Sequence, residues 1–480
     1  MIRRMKKIWL QYKKMPLEVK SGFWFVICSL LQKGITSITT PIFTRLLSTE
    51  DYGIYNLYNS WYSILRIIVT MNLASGVFNN AMIKYKNLRD RYVSALEGLS
   101  VLLAIVWFAI YYFTQNLWIN IIGLPTIIMF FMFLEFAITP AREFYTVRMR
   151  FEYKYKSVIA ISLLGGLATP LISIGAILVS QNRGYARIYS IIAVSVTISA
   201  FIFAHNLRKG KCLYDKEMWS YSLKFNVALV PHFLSSVLLS SSDVIMINYF
   251  CTTSQAGIYG VGRGLAYMFN MIKSSLIQTL TPWMYKEIEK KRSVGLKRNI
   301  NLMLLVFGFF VICLSLIAPE VIWIFAARDY REAMYVVPPL ACSVFLQFAA
   351  DIFINFQLYF EKTNYISTTS IVISIVNIIL NIAFLKLFNY QAAAYTTLAS
   401  YLLYFVMHYR KMKKIELTHF GERVFNSCII WLTLLGTLAL SIGSILLYSH
   451  IFFRYFIIAV ILGIAFIKRN QIIDLFKMGK

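Results

Sequence analysis

The chain alternates long apolar segments with short polar and charged ones. Most of the apolar segments run for about 20 residues, the length that a helix needs to cross the hydrocarbon core of a bilayer. The pattern predicts an all-α polytopic membrane protein with about fourteen transmembrane helices. Their predicted spans are 22–47, 53–83, 93–114, 118–141, 157–180, 186–206, 222–250, 256–285, 300–318, 334–358, 365–387, 392–409, 425–447 and 452–467.

Two similar loops mark an internal repeat. Residues 48–55 read Ser-Thr-Glu-Asp-Tyr-Gly-Ile-Tyr, and residues 252–259, which lie 204 positions later, read Thr-Thr-Ser-Gln-Ala-Gly-Ile-Tyr. Six predicted helices separate the loops, so the two halves have the same orientation, as in parallel repeats about an axis along the membrane normal. Ser48 and Thr252 fit the N-cap position of the helix that follows. We therefore interpret the motif as architecture and not as a substrate contact.

The repeat predicts how the chain is divided. Two parallel six-helix bundles surround a central cavity, and the last two helices form an appended pair. The predicted parts are a basic cytoplasmic N-terminus (1–21), an N-terminal lobe (22–206), a cytoplasmic linker (207–221), a C-terminal lobe (222–409), a cytoplasmic loop (410–424), and helices 13 and 14 with a cytoplasmic tail (425–480).

Composition and charge exclude several classes of protein. With 59% hydrophobic and only 14% charged residues, the chain is unlike a soluble enzyme. The net charge of +27 does not indicate nucleic-acid binding, because 36 of the 48 Lys and Arg fall in the loops and termini of one side. The positive-inside rule places that side, with both chain termini, in the cytoplasm. The six cysteines show no metal-ligand or disulfide spacing, so neither a metal nor an organic cofactor is expected.

Four cations fall within predicted transmembrane helices: Lys33, Arg66, Arg263 and Lys273. A charge at the centre of a bilayer costs about 2.5–3.5 kcal/mol, so each is a candidate functional residue. The repeat offset relates Arg66 to Asn270 and Arg263 to Asn59, and each Arg lies seven residues from the Asn of its own helix. The offset thus predicts two matching polar faces that line one cationic cavity. Pairing with buried acids, or snorkelling to the interface, is the alternative explanation.

Three acids also lie in predicted helices: Glu135, Asp243 and Asp351. They could neutralise the cations, or one of them, with Asp243 as first choice, could couple transport to a proton or sodium gradient. Pro41 and Pro231 interrupt two helices and are candidate hinges, with a static bend as the alternative. Polar side chains that could line a wet path include Gln32, Asn72, Asn79, Asn80, Asn226, Asn248, Asn355, Gln357, Asn377 and Asn381.

Two segments resemble a known family. The end of the first helix, Thr-Pro-Ile-Phe-Thr-Arg-Leu-Leu at 40–47, followed by the first loop, is similar to the N-terminal signature of bacterial polysaccharide exporters. These are the Wzx-type flippases of the multidrug/oligosaccharidyl-lipid/polysaccharide superfamily. Residues 243–250, Asp-Val-Ile-Met-Ile-Asn-Tyr-Phe, which lead into the second loop, resemble the corresponding family segment.

The resemblance implies a flippase that moves an undecaprenyl-pyrophosphate-linked oligosaccharide, an O-antigen or capsule repeat unit, across the bacterial plasma membrane. It implies alternating access through a V-shaped cavity. A lipid pyrophosphate is a dense anion, so Arg66, Arg263, Lys273 and Lys33 are its predicted counter-charges. Expected partners are this glycan lipid and membrane lipids, with polysaccharide polymerase and chain-length proteins as further candidates. We expect a monomer.

Two other functions stay open at this point. A multidrug or cation efflux transporter of the same superfamily would need an acidic cavity, and Asp243, Asp351 and Glu135 are present. A membrane glycan polymerase or ligase would need a sizeable outer loop. The largest predicted outer loop, 319–333, is short, which disfavours an enzyme.

Overall fold

A computed structural model describes residues 16–290, 293–420 and 424–467, although a few side chains within the helices, including that of Lys33, lie outside the described part. Over these residues the chain is almost entirely helical. Each of the fourteen predicted segments corresponds to a helix or to a pair of consecutive helices. Eight helices of the described ranges are long and apolar enough to cross a membrane. The chain is therefore a multi-pass all-α membrane protein.

The chain divides into two units, residues 1–237 and 238–480. The helices of the first unit are α1 (Leu17–Leu46), α2 (Thr49–Thr70), α3 (Val77–Lys84), α4 (Arg89–Ile122), α5 (Thr126–Phe151), α6 (Tyr155–Val179), α7 (Arg183–Gly210) and the first part of α8 (Lys216–Phe250). Helix α5 packs against α4 and α7, and α6 packs against α1 and α7.

The second unit begins within α8. It continues with α9 (Thr253–Tyr267), α10 (Phe269–Glu289), α11 (Ser293–Leu316), α12 (Ala318–Phe325), a 3-10 helix (Arg328–Tyr335), α13 (Val337–Tyr359), α14 (Thr363–Leu387), α15 (Ala392–Phe420), α16 (Ser427–Gly443), a 3-10 turn (Ser444–Leu447) and α17 (Ile451–Ile467). Helix α13 is buried along most of its length and packs against α15, α10, α9 and α11. It forms the core of this unit.

The division between the units differs from the predicted linker at 207–221. It falls at 237/238, inside α8, because the first turns of α8 are bonded to the first unit. Trp219 donates its indole N–H to the carbonyl of Ala95 at 2.7 Å. The Asn226 amide donates to the carbonyl of Met71 at 3.0 Å. Only the later part of α8 packs within the second unit.

Three helix boundaries correct the predictions. The predicted turn between 114 and 118 is wrong, because α4 continues to Ile122 and ends at Gly123, whose φ of 66° is left-handed. The predicted single helix 53–83 ends at Thr70, where Met71 adopts a left-handed φ of 48°. The predicted single helix 256–285 is interrupted at Met268, which stays right-handed with φ −56°. Arg263 and Asn270 thus lie on consecutive helices, α9 and α10.

The two repeat loops are helix caps, as predicted. Ser48 and Asp51 form a reciprocal capping box at the start of α2. The Thr252 hydroxyl accepts the backbone N–H of Gln255 at the start of α9. Asp51 has a second function, since it also accepts the backbone N–H of Gly184 at 2.9 Å and ties α2 to the start of α7.

Candidate functional site

A network of buried polar side chains surrounds Asp243 in the second unit. The carboxylate is fully buried on α8. It accepts hydrogen bonds from the Tyr259 hydroxyl at 2.6 Å, the Thr397 hydroxyl at 2.8 Å and the Asn381 amide at 2.8 Å. The hydroxyl of Thr396 donates to the amide oxygen of Asn381. We call these five residues the Asp243 cluster.

The Asp243 cluster brings four helices together. Asp243 comes from α8, Tyr259 from α9, Asn381 from α14, and Thr396 and Thr397 from α15. Asn377, one turn before Asn381, extends the network to the hydroxyls of Thr397 and Ser400, both at 3.3 Å. Since a charge in a low-dielectric interior is costly unless compensated, this concentration of donors around a single carboxylate marks a specialised position.

Arg263 lies beside this cluster. Its Nη1 donates to the backbone carbonyl of Ser240 at 3.1 Å, and its charge interacts with that of Asp243. No ion pair involves Arg263 among the residues that the structure describes. The half-buried guanidinium has five N–H donors, so it keeps hydrogen-bonding capacity for a ligand.

The other predicted cations of known position are paired with acids. Arg66 Nη2 on α2 contacts Glu143 Oε2 on α5 at 2.5 Å, with both side chains about one-third exposed. Lys273 Nζ on α10 contacts Asp351 Oδ2 on α13 at 3.0 Å, and only 10% of the lysine side chain is exposed. Part of the charge that the sequence suggests is therefore neutralised inside the protein. The side chain of Lys33 lies outside the described residues.

The two asparagines predicted to share faces with the arginines behave differently. The Asn59 amide donates to the Tyr55 carbonyl of its own helix at 3.0 Å. The buried Asn270 oxygen has no hydrogen-bond partner within the described chain. Asn59 is thus locally satisfied, whereas Asn270 retains an acceptor.

The remaining candidate acid and the candidate hinges also have defined positions. Glu135 on α5 is 3% exposed and accepts the Tyr58 hydroxyl at 2.5 Å. Pro41 and Pro231 lie inside α1 and α8, which continue through them. Thr44 donates its hydroxyl to the Pro41 carbonyl and Ser235 to the Pro231 carbonyl, so each proline carbonyl accepts a side-chain hydrogen bond from the next turn. Hinge motion at these prolines stays a prediction.

Two functional candidates were missed in the sequence. Glu143 falls just after the predicted span 118–141, yet it lies eight residues after Glu135 within α5 and pairs with Arg66. Arg187 falls at the start of the predicted span 186–206 and was not singled out, yet it is 6% exposed. Its guanidinium carbon lies 3.5 Å from the Tyr55 ring centroid and 4.0 Å from that of Phe43. The tyrosines of the first repeat loop could have indicated this cation–π site.

Comparison with known proteins identifies the family. The model of the polysaccharide biosynthesis protein family matches residues 19–288, which is more than half of the chain. The chain belongs to this family. Protein 1 of the Lsg locus of Haemophilus influenzae is 20% identical over 380 residues, which cover 74% of this chain and 88% of that protein.

Solved structures identify the fold. The lipid II flippase MurJ, in an inward closed conformation, superposes with a TM-score of 0.69 over 93% of this chain and 99% of MurJ, at 12% identity. An inward-facing multidrug resistance MATE family transporter of the MOP superfamily gives a TM-score of 0.58 over 80% of this chain and 96% of its own, at 11% identity. Family and fold confirm the prediction of an all-α multi-pass membrane protein that resembles polysaccharide exporters.

Proposed function

We propose that this polysaccharide biosynthesis family member is a flippase. It moves an undecaprenyl-pyrophosphate-linked oligosaccharide from the cytoplasmic to the outer leaflet of a bacterial plasma membrane by alternating access. The observation that carries the proposal is the combination of that family with a fold that extends over 93% of the chain and matches a lipid II flippase. MurJ is a flippase of lipid II, which is a glycan lipid, so we propose a glycan lipid as the cargo of this chain as well.

Arg263 is the principal counter-charge for the pyrophosphate in this proposal. Among the described residues Arg263 forms no ion pair, although its charge interacts with that of Asp243, whereas Arg66 and Lys273 each contact a carboxylate. A guanidinium with free N–H groups can hold phosphate oxygens through charge-assisted hydrogen bonds. Arg66 and Lys273 would exchange Glu143 and Asp351 for the substrate, which makes them secondary contacts. Lys33, which lies in the first helix, is also proposed as a counter-charge for the pyrophosphate.

The Asp243 cluster is the proposed site of ion coupling. The carboxylate, the amide oxygen of Asn381 and the hydroxyl oxygens of Thr396 and Thr397 supply oxygen ligands of the kind that a hard cation prefers. A proton on Asp243 would neutralise the same charge. We therefore propose that sodium or a proton, bound at Asp243, couples transport to its gradient.

The test of the cargo is the surface glycan of a host that depends on this protein. Arg263→Gln removes the unpaired guanidinium, and we expect at least about a tenfold loss of surface glycan. Arg298→Gln is the matched control, because Arg298 is an exposed arginine of the same unit. Normal glycan in the Arg263→Gln strain, with wild-type membrane insertion, would refute the assignment of Arg263.

The test of coupling uses purified protein in vesicles. Asp243→Asn keeps the shape of the side chain but removes its charge, so transport should lose its response to the sodium or proton gradient. Wild-type transport that ignores both gradients would contradict the coupling site without affecting the choice of cargo.

Cation efflux is the competing function, favoured by the MATE-like fold and by the buried acid Asp243. The same deletion strain separates the two functions. A flippase restores surface glycan and leaves drug tolerance unchanged, whereas an efflux transporter restores drug tolerance alone.

A further inference from the structure

A polar cavity of about 460 Å³ lies within the first unit. Its walls come from α1, the segment after α2, α5 and α6, and it shares no lining residue with the Asp243 cluster. Its volume is in the range of small-molecule binding pockets. The side chains that give it chemical character are Arg142, Arg150, Glu143, Gln32, Thr146 and Ser75.

Arg142 carries the argument. It is half-buried, and no hydrogen bond or ion pair to its guanidinium is present among the described residues. Its Nη1 lies beside Gly165 of α6, where an added Cβ would be 3.9 Å away. The charge of Arg142 also interacts with that of Glu135. Because its guanidinium forms no hydrogen bond or ion pair within the described residues, its N–H donors stay available to an anion in the cavity.

Arg150 adds a second positive charge to the same cavity. It follows Arg142 by eight residues, about two helical turns, so both project from one side of α5. Arg150 is exposed, and its guanidinium carbon lies 5.4 Å from the ring centroid of Phe25 on α1. Arg142 thus forms the inner end of the cavity, and Arg150 stands at its solvent-accessible end.

The acid in the wall does not cancel these charges. Glu143 is already engaged with Arg66 at 2.5 Å. Among the residues that line the cavity, Arg142 and Arg150 therefore have no ion-pair partner within the described part of the chain. Polar groups complete the lining, since the Gln32 amide donates to the Ser162 carbonyl at 3.3 Å and Thr146 and Ser75 present hydroxyls.

Gly165 and Gly166 keep the cavity open. An added Cβ at Gly166 would lie 3.6 Å from Ile35 and 3.9 Å from Gln32, which is ordinary van der Waals contact. A small side chain is therefore tolerated there, whereas a large one would extend into the cavity.

We propose that this cavity binds a phosphate group that enters from the cytoplasmic side. Arg142 and Arg150 lie in the stretch that the positive-inside rule assigns to the cytoplasm, at the level of lipid headgroups. Arginine pairs suit phosphate because their forked N–H groups match its oxygens. The phosphate belongs to an anionic lipid headgroup or to a free phosphate compound, and the chemistry of recognition is the same. The cavity is lined by residues of the first unit, whereas Arg263 belongs to the second, and the proposal does not rest on the flippase function.

The test measures binding to the purified full chain directly. Delipidated protein is titrated with inorganic pyrophosphate by calorimetry, and protein from nanodiscs of phosphatidylglycerol or phosphatidylcholine is analysed by native mass spectrometry. We expect wild-type protein to bind at least one anionic probe. The double variant Arg142→Gln/Arg150→Gln should bind it at least about tenfold more weakly. Loss of pyrophosphate binding alone identifies a free phosphate ligand, and loss of retained phosphatidylglycerol alone identifies a lipid headgroup.

Two further variants make the result decisive. Arg208→Gln removes an exposed arginine from the predicted cytoplasmic end of α7 in the same unit, and should leave binding unchanged. Gly166→Leu fills the cavity without removing a charge, so it should weaken binding even if the double variant folds poorly. The proposal is overturned if wild-type protein binds neither probe, or if the double variant and Gly166→Leu both bind like wild type.

Discussion

Each unit contains an ion pair that joins a helix after the repeat loop to a later helix, but the two pairs use different residues. In the first unit Arg66 on α2 pairs with Glu143 on α5, 77 residues later. In the second unit Lys273 on α10 pairs with Asp351 on α13, 78 residues later (351 − 273). The pairs are offset by 207 and 208 residues (273 − 66 and 351 − 143), about one helical turn more than the loops. The repeat thus preserves a bridged helix contact and not an alignment of charged positions.

The last tyrosines of the two repeat loops show the opposite case, because they occupy the same position in the repeat but make different contacts. Tyr55 and Tyr259 are exactly equivalent by the 204-residue offset of the loops. Tyr55 places its ring 3.5 Å from the guanidinium of buried Arg187, whereas Tyr259 donates its hydroxyl to buried Asp243. The first unit therefore buries a cation at this position and the second unit an anion. One fold position has been adapted to opposite charges.

The largest expected difference concerns the two ion pairs. Lys273→Gln should cost about 3 kcal/mol in the free energy of unfolding, because it leaves a carboxylate uncompensated beside a lysine site that is 10% exposed. Arg66→Gln should cost about 1 kcal/mol, because water reaches both partners of that pair. Equilibrium unfolding in detergent measures both. Adding Asp351→Asn to Lys273→Gln should recover part of the loss, and equal losses for the two single variants would contradict this ranking.

The repeat tyrosines give a smaller but sharper contrast. Tyr259→Phe removes a hydrogen bond to a fully buried carboxylate and should cost about 1–3 kcal/mol. Tyr55→Phe keeps the aromatic face over Arg187, so its effect should stay below about 0.5 kcal/mol. Unfolding of the two variants in the same detergent tests the difference. A costly Tyr55→Phe would show that the hydroxyl, and not the ring, matters in the first unit.

The helix interruptions give the smallest effect, with opposite signs. Met71 has a left-handed φ of 48°, so Met71→Gly should relieve strain and stabilise the protein by up to about 1 kcal/mol. Met268 is right-handed, with φ −56°, so Met268→Gly should destabilise it by about 1 kcal/mol. Thermal unfolding midpoints are sufficient to compare them. Changes of the same sign would mean that side-chain packing outweighs backbone conformation at these positions.

The helical nature of the chain and the caps at the two loops were predictable because both depend on local patterns. Apolar segment length indicates the helices, and the paired loops carry their own capping residues. Boundaries were less predictable. The predicted spans leave a turn between 114 and 118, yet α4 continues and ends instead at Gly123, which can adopt a left-handed φ without strain.

The sequence predicted which charged residues belong to the candidate site, but it did not predict which of them contact one another. Arg66, Arg263, Lys273 and the acids Asp243 and Asp351 were identified because a charge among apolar residues is conspicuous. Glu143 was not, because the polar end of α5 looks like a loop when its helix is not extended to Phe151.

Local sequence patterns established the helices, the caps and the fact that charges lie among apolar residues, since each depends on neighbours close in the chain. Tertiary structure decided which charge meets which partner. Asp243 and Thr397 are 154 residues apart, and Arg66 and Glu143 are 77 apart. Such contacts depend on how helices pack, so the buried cluster at Asp243 and the position of Arg142 in a polar cavity become visible only in the folded chain.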